Sequence, residues 1–181
     1  MELGKRIMVL GSSASGKSTL ASYLGKLTGI DVVHLDRIFW KPGWVETPGN
    51  EMDSLIMEAA SRERWIIDGN YSRTLDLRME RADTVIYIDL NRYICIFRAL
   101  KRRIKNRGKT RDDMGEGCPE KIDLEFLLWI WNFPKRSREA TLAKITSYFG
   151  NRRNAARILA SRREVKMFLL ERHTWDGAAD A

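Results

Sequence analysis

The stretch GSSASGKS at residues 11–18 decides the fold class, because it fits the phosphate-binding pattern G-x-x-x-x-G-K-[ST] at every fixed position. Its glycines let the backbone bend so that successive N–H groups point at an anion. Lys17 is long enough to reach the outer phosphates of a nucleoside triphosphate, and the Ser18 hydroxyl is a ligand for Mg²⁺. The stretch therefore predicts a site for ATP and Mg²⁺.

The sequence on both sides of this stretch supports the same interpretation. Residues 7–10 form a short apolar run within a predicted strand at 5–10, and leucines recur at helical spacing over 17–28. A helix N-terminus directly after the loop favours a bound anion. The residues that we expect to contact ATP are Gly11, Ser12, Ser13, Ala14, Ser15, Gly16, Lys17, Ser18 and Thr19.

Strands and helices alternate along the chain, which is typical of a three-layer α/β fold with a parallel sheet. The predicted strands cover 5–10, 31–35, 64–68, 84–88 and 156–160. Thr47 is predicted to cap a helix that begins at Pro48, and further helices are predicted over 73–81 and 92–106. A long helix is expected from Pro119 to about 149, disturbed at Pro134, and Ser161 with Glu164 forms a capping box for the last one.

Length and composition fit one globular domain, predicted over 1–172 and followed by a flexible tail at 173–181. No apolar run approaches the roughly 18 residues of a membrane span, and we expect no signal peptide. Two cysteines are too few for a disulfide framework or a four-cysteine zinc site, so a cytoplasmic location without a structural metal is expected. The net charge is +8, which favours anionic partners.

Acidic residues follow two of the predicted strands. Parallel strands gather ligands at their carboxyl ends, so Asp36 and Asp68 are expected near the phosphate loop. Asp68 is our candidate for holding Mg²⁺ together with Ser18, and Asp36 for orienting or deprotonating the acceptor hydroxyl. The alternative is that each carboxylate caps the loop or helix that follows it, as predicted for Asp89 ahead of the long helix.

Aromatic residues cluster directly after Asp36. Phe39, Trp40 and Trp44 are suited to stacking on a base or sugar ring, or equally to plugging the core beneath a loop. Trp129 and Trp131 lie in a dense apolar run, which predicts that they belong to the core.

Basic residues concentrate from Arg98 to Arg111, where eight Lys or Arg occur without Asp or Glu. The helix 92–106 carries them beside an apolar stripe, and the glycine-containing segment 107–118 follows as a predicted mobile lid. Arg102, Arg107 and Arg111 are our candidates for contacting the transferring phosphate. The alternatives are a solvated helix face and a surface for nucleic acid.

Several longer segments resemble the family labelled DNA topology modulation proteins, which is related to adenylate and shikimate kinases. These segments are the loop, HLDRIFWKPGW (34–44), WIIDGNY (65–71), RADTVIYIDL (81–90) and CPEKIDLEFLLWIWNF (118–133). The resemblance implies a five-stranded parallel sheet in the order 2-3-1-4-5, as in nucleoside-monophosphate kinases. It also implies ATP binding, an acceptor-binding insertion at about 36–63 and an arginine-bearing lid. The sequence DGNYS at 68–72 differs from the DGFPR of adenylate kinases, which argues against AMP as the acceptor.

Together these features predict a small-molecule kinase that uses ATP and Mg²⁺, with an acceptor that the sequence does not identify. The residues expected to contact that acceptor are Asp36, Arg37, Trp40, Trp44, Asn70 and Tyr71. Two alternatives remain open, a nucleic-acid-linked ATPase that affects DNA topology and a nucleotide-binding regulator. No membrane association is expected, and the sequence predicts no oligomeric state.

Overall fold

Five parallel strands form the central sheet of a computed structural model that describes residues 3–150 and 155–176, with side chains to Glu171. The sheet has the spatial order β2-β5-β1-β6-β7, which confirms the predicted order of the five strands. A two-stranded antiparallel hairpin, β3 with β4, lies outside this sheet. The strands are β1 (Arg6–Gly11), β2 (Val32–His34), β3 (Trp40–Lys41), β4 (Val45–Glu46), β5 (Trp65–Asp68), β6 (Thr84–Ile88) and β7 (Ala156–Leu159).

Helices cover both faces of the sheet, which explains why the central strands are apolar on both sides. The helices are α1 (Lys17–Thr28), α2 (Leu35–Phe39), α3 (Gly49–Ser61), α4 (Leu75–Arg81), α5 (Arg92–Lys105), α6 (Leu124–Phe133), α7 (Glu139–Phe149) and α8 (Arg162–Asp176). Residues of α3, α4 and α7 pack on one face, and residues of α1, α5 and α8 pack on the other. Strand β1 lies between these two layers, where Ile7, Met8, Val9 and Leu10 are all 0% exposed.

Several predicted helix boundaries were wrong. The Thr47 hydroxyl donates to the Ile38 carbonyl instead of capping α3, whose N-cap is Pro48. Helix α6 begins at Leu124 rather than at Pro119, because the Asp123 side chain accepts a hydrogen bond from the Phe126 N–H. Asn91, and not Asp89, caps α5.

Other predictions at the C-terminal end agree better with the structure. A π-helical segment at Pro134–Arg138 joins α6 to α7 where Pro134 was expected to disturb the helix. Ser161 and Glu164 exchange the hydrogen bonds of a capping box at the start of α8. Helix α8 runs to Asp176, into the segment predicted as a flexible tail, and residues 177–181 lie outside the described part of the chain.

The apolar stripe of α5 faces outward. Tyr93, Phe97, Leu100 and Ile104 are 65%, 61%, 44% and 80% exposed, whereas the small residues Cys95 and Ala99 are buried against the sheet. The prediction that Trp129 and Trp131 belong to the core was also wrong, because they are 52% and 39% exposed.

A buried arginine holds the turn that follows β5. The Arg78 guanidinium is 0% exposed and donates to the carbonyls of Gly69, Asn70 and Tyr71 at 2.9, 2.6 and 2.8 Å. Burial lowers its pKa to about 9, so it remains protonated at neutral pH. The side chain thus fixes the backbone of 69–71 by satisfying carbonyls that would otherwise lack partners.

We predict that Arg78→Met lowers the free energy of unfolding by about 2–4 kcal/mol, because it leaves buried carbonyls without donors. Urea unfolding followed by circular dichroism measures the change. Arg62→Met is the matched control, because the Arg62 side chain is half exposed and its ionic contact with Glu58 is 3.9 Å long. A loss no larger than that of the control would contradict the assigned role.

Candidate functional site

The loop between β1 and α1 adopts a backbone that requires glycine at two positions. Gly11 has φ 146° and Gly16 has φ 101°, both in the region that side chains rarely occupy. A Cβ at Gly11 would lie 2.6 Å from the Ile88 carbonyl oxygen, so the loop runs tightly against the end of β6. The predicted phosphate loop therefore has both the backbone shape and the position, ahead of a helix N-terminus, that anion binding needs.

Asn70 anchors the start of this loop. Its Oδ1 accepts a hydrogen bond from the Gly11 N–H at 3.0 Å, and its Nδ2 donates to the Gly11 carbonyl at 2.8 Å. Both ends of the amide are thereby engaged by the backbone N–H and C=O of one residue. The sequence predicts an acceptor contact for Asn70, and this geometry favours a different role, which is to hold the phosphate loop against the turn after β5.

Three charged side chains meet at the carboxyl edge of the sheet. Lys17 is 8% exposed and Asp68 is 3% exposed, and Asp36 is half buried at the first turn of α2. The positive charge of Lys17 favours the ionised form of both carboxyl groups. The structure thus brings together the predicted phosphate-binding lysine and the two predicted acidic residues.

Asp68 is fixed from one side only. Its Oδ2 lies 2.8 Å from Nδ1 of His34, whose Nε2 lies 3.4 Å from the Ser22 hydroxyl. Burial would raise the pKa of Asp68, but Lys17, His34 and Ser18 together hold it below the ordinary value. The carboxylate is therefore ionised at neutral pH, and its buried Oδ1 has no hydrogen-bond partner within the protein.

The unpartnered oxygen of Asp68 bears on whether Ser18 and Asp68 suit Mg²⁺. A buried, ionised carboxylate oxygen beside a serine hydroxyl is the donor type that Mg²⁺ prefers, usually with waters completing its coordination. Ser18 and Asp68 therefore fit the ion. Among the described residues, no group of three or more His, Cys, Asp or Glu could hold a metal by protein ligands alone.

Asp36 lies in a different electrostatic environment. Desolvation is the largest influence and raises its pKa, Lys17 opposes this, and the Asp68 and Asp113 carboxylates add to it. The pKa of Asp36 is consequently above its ordinary value while that of Asp68 is below. Two neighbouring carboxyl groups whose pKa values are pushed apart are suited to different tasks, here proton exchange and cation binding.

The aromatic residues after Asp36 pack edge-on against one another. Ring centroids are 5.3 Å apart for Tyr71 and Phe39, 4.6 Å for Phe39 and Trp40, and 5.3 Å for Trp40 and Trp44. Trp40 and Trp44 stay half buried on the β3–β4 hairpin. Arg37 lies on α2 and is exposed. The cluster therefore lines the side of the site next to Asp36, whose charge acts on Tyr71.

The predicted lid at 107–118 is packed against this hairpin over its second half. The Gly43 N–H donates to the Gly117 carbonyl at 3.2 Å, and the Cys118 thiol donates to the Lys41 carbonyl at 3.2 Å. A Cβ at Gly115 would lie 1.8 Å from the Trp40 carbonyl oxygen. Gly115 thus permits close contact and does not act as a hinge, and only the first part of the segment, 107–110, is fully exposed.

Glu120 holds two of the predicted lid arginines. It is 6% exposed, and its carboxylate oxygens lie 2.9 Å from Arg102 Nε and 2.7 Å from Arg111 Nε. Arg111 also lies 2.9 Å from Asp113 and acts electrostatically on Asp36. Arg111 is thereby positioned at the cleft, Arg102 lies at the base of the lid, and Arg107 is exposed away from these ion pairs.

A further arginine lies over the phosphate loop itself. Arg98 Nη1 donates to the Ser15 carbonyl at 2.7 Å, and its guanidinium is in contact with Gly16. Beside it lies a mainly apolar cavity of about 210 Å³ between α1, α5 and α8, lined by Ser15, Gly16, Thr19, Leu20, Tyr23, Arg98, Val165 and Leu169. An apolar cavity that adjoins a phosphate loop is a suitable place for a nucleobase.

Sequence reasoning missed three contributors to the site, which are His34, Arg78 and Glu120, and it did not favour Arg98 among the arginines of the basic run. Their roles depend on partners that only the folded chain brings close, such as Asp68 for His34 and Ser15 for Arg98. The segment HLDRIFWKPGW contains His34 two residues before Asp36, but the pairing of His34 with Asp68 requires the register of β2 with β5. Asp89 follows β6 and forms a two-point ion pair with Arg138, which was likewise not predicted.

Comparisons with known proteins identify the fold. No protein-family model matches the sequence, and a search of curated proteins finds no match. A gluconokinase from Sinorhizobium meliloti 1021 has a similar structure, with TM-score 0.52, 12% identity, and coverage of 98% of this chain and 99% of that one. For a shikimate kinase from Bacteroides thetaiotaomicron the TM-score is 0.47 at 15% identity, with coverage of 92% of this chain and 94% of that one. For a sugar kinase from Janibacter sp. HTCC2649 the TM-score is 0.47 at 20% identity, with coverage of 96% of this chain and 94% of that one. At 12% identity, the similarity to the gluconokinase shows a shared fold.

We predict that Asn70→Ala weakens ATP binding about tenfold, because the loop loses both hydrogen bonds at Gly11 and must be ordered by the ligand. Isothermal titration calorimetry with ATP measures the effect, and Asn132→Ala, an exposed position on α6, is the control. An unchanged ATP affinity combined with weaker acceptor binding would instead restore the acceptor contact predicted from the sequence.

Proposed function

We propose that this protein is a cytoplasmic phosphotransferase that moves the γ-phosphate of ATP to a hydroxyl group of a small acceptor. One observation carries the proposal, which is the convergence of Lys17, Asp36 and Asp68 beside a complete phosphate loop. Phosphoryl transfer requires charge neutralisation and positioning more than covalent help, and this cluster supplies groups for both.

The site would bind ATP in one orientation, with its phosphates and its base in different parts of the site. The N–H groups of residues 11–19 would cradle its phosphates, with Lys17 at the outer ones, and the cavity beside Arg98 would take the adenine ring. Leu20, Tyr23 and Leu169 give that cavity apolar walls for the base. Arg98 is charged and close to Gly16, which suits it to neutralise the phosphates nearest the base.

Ser18 and Asp68 would hold Mg²⁺, Asp68 through a water molecule. When bound, the ion neutralises phosphate charge and orients the outer phosphates. Asp68 remains ionised because of Lys17 and His34, and the hydrogen bond from His34 keeps its second oxygen turned toward the loop.

Asp36 would receive the proton of the acceptor hydroxyl. Its raised pKa makes it a better proton acceptor than an ordinary carboxylate, and it borders the half-buried aromatic cluster of Trp40, Trp44 and Tyr71. We place the acceptor there, between α2, the hairpin and the lid. Arg111 would contact the transferring phosphate after leaving Glu120, and the docked lid would exclude water from the reaction.

The resemblance to DNA topology modulation proteins and adenylate kinases is consistent with this proposal but does not name the acceptor. The gluconokinase with the similar fold makes a hydroxyl-bearing sugar acid a reasonable candidate for testing. The inward ion pairs of Arg102 and Arg111 favour a lid over a nucleic-acid surface, because both guanidinium groups are engaged by Glu120.

A coupled assay of ADP release tests the proposal, with ATP, Mg²⁺ and a panel of nucleosides, nucleotides, sugars and sugar acids. Acceptor-dependent turnover that is lost in Lys17→Ala is the expected result. Turnover stimulated by DNA and by none of the small acceptors would indicate the nucleic-acid-linked ATPase. ATP binding without turnover under any of these conditions would indicate a regulator.

We predict that Asp68→Asn lowers turnover at least 100-fold and ATP affinity by less than tenfold, because a carboxylate that holds the cation acts mainly in the transition state. Steady-state kinetics over a range of Mg²⁺ concentrations separates the two effects. Asp83→Asn is the control, because Asp83 pairs with Arg6 at the opposite edge of the sheet. Normal turnover of Asp68→Asn at low Mg²⁺ would make Asp68 a structural residue.

We predict that Leu169→Trp weakens ATP binding at least tenfold and leaves the binding of inorganic tripolyphosphate unchanged, because the larger side chain fills the cavity assigned to the base. Calorimetric titration with each ligand provides the comparison. Met167→Trp is the control, since Met167 is 49% exposed on the same helix. An equal loss of affinity for ATP and for tripolyphosphate would show that the cavity does not hold the base.

A further inference from the structure

Seven large apolar side chains lie exposed on the outer surface of α5 and α6, and we call this surface the apolar platform. Their exposures range from 39% to 80%, far above what packing in a core would leave. Clusters of this kind on a folded protein mark interaction sites. The platform consists of Tyr93, Phe97, Leu100 and Ile104 on α5 and Leu124, Leu128 and Trp131 on α6.

The two stripes form one continuous surface because α5 and α6 lie side by side and antiparallel. The Tyr93 ring, at the start of α5, lies 5.5 Å from the Trp131 ring near the end of α6. At the other end, Arg102 near the end of α5 lies 6.0 Å from the Phe126 ring near the start of α6. Positions spaced three and four apart on each helix thus share one outward face.

The platform lies within the most positive part of the chain. The segment 92–138 contains 13 Lys or Arg and six Asp or Glu, a net charge of +7 out of +8 for the whole protein. Helix α5 carries six basic residues and no acidic one, and Lys101 and Lys105 are exposed beside the apolar stripe. Of the six acidic residues, Asp113, Glu120 and Asp123 are already paired with Arg111, Arg102 or Lys121.

We propose that the apolar platform docks this protein onto an anionic membrane surface. A strongly amphipathic helix with Lys and Arg around a stripe of Phe, Leu and Ile lies in the plane of the bilayer interface, with its apolar side chains among the acyl chains. Each Lys or Arg near anionic headgroups strengthens the attachment. Tyr93 and Trp131 are suited to the headgroup level, where aromatic residues with a polar atom concentrate.

The charge and the side-chain types of the platform argue against a second copy of this chain and against nucleic acid as its partner. A second copy would bring two surfaces of the same positive segment together, at an electrostatic cost. Nucleic acid would satisfy the charge, but four of the seven platform residues are aliphatic and cannot stack on bases. The proposal concerns a surface contact, since none of the helices in the described residues is both long and apolar enough to traverse a bilayer. It does not depend on the proposed kinase activity.

Co-sedimentation of the full chain with vesicles tests the proposal. We expect binding to vesicles of one part phosphatidylglycerol and two parts phosphatidylcholine, and at least tenfold weaker binding to pure phosphatidylcholine. Salt at 0.5 M should weaken the binding to anionic vesicles as well, because the Debye length shrinks to a few ångströms. Tryptophan emission should shift to shorter wavelength on binding, and Trp131→Phe should remove part of that shift.

Two variants separate the apolar and the ionic contributions. Phe97→Ser/Ile104→Ser and Lys101→Gln/Lys105→Gln should each weaken binding to anionic vesicles at least tenfold. Leu55→Ser/Met57→Ser is the control, because both side chains are exposed on α3, outside the platform. Circular dichroism and a melting curve establish that each variant is folded.

Other results would overturn the proposal. If the wild-type chain binds neither vesicle type and sediments as a dimer that Phe97→Ser/Ile104→Ser dissociates, the platform is an interface between copies. If single-stranded DNA binds through the platform and vesicles do not, the occupant is nucleic acid. Equal binding to both vesicle types, unaffected by the lysine variant, would overturn the anionic part of the assignment.

Discussion

The arrangement of this site depends on the burial of the Lys17 ammonium beside two carboxyl groups. An ammonium with 8% exposure is costly unless negative charge lies close, and Asp36 and Asp68 provide that charge. The dependence is mutual, because Lys17 is what keeps Asp68 ionised despite its burial. Parallel strands make this possible, since β1, β2 and β5 end at the same edge of one sheet and deliver all three groups there.

A chain of hydrogen bonds connects the sheet to the phosphate loop. Arg78 fixes the carbonyls of the turn after β5, Asn70 in that turn binds both polar groups of Gly11, and the loop continues from there. Arg78 donates to backbone carbonyls, so its charge stabilises this turn, and the acidic residues Asp36 and Asp68 remain available beside the phosphate loop. The turn and the loop therefore hold their shape together.

The five strands and the phosphate loop follow from local patterns, which are buried apolar runs for the strands and fixed positions for the loop. The order of the strands in the sheet is not local, and the resemblance to a known family implies it. The orientation of α5 does not follow from a local sequence pattern. Cys95 and Ala99 are small enough to let the helix pack closely on the sheet, so they are buried and the larger Phe97 and Ile104 are left outside. The pairing of His34 with Asp68, and of Arg111 with Glu120, likewise depends on neighbours that only the folded chain brings together.

Helix α5 has two faces with separate tasks. Its inner side presents Arg98 to the phosphate loop and Arg102 to Glu120 at the base of the lid, and its outer side carries the apolar platform. The lid begins two residues after this helix and ends six residues before α6, the other half of the platform. A partner on the outer side would therefore contact the same helix that holds Arg102 against Glu120.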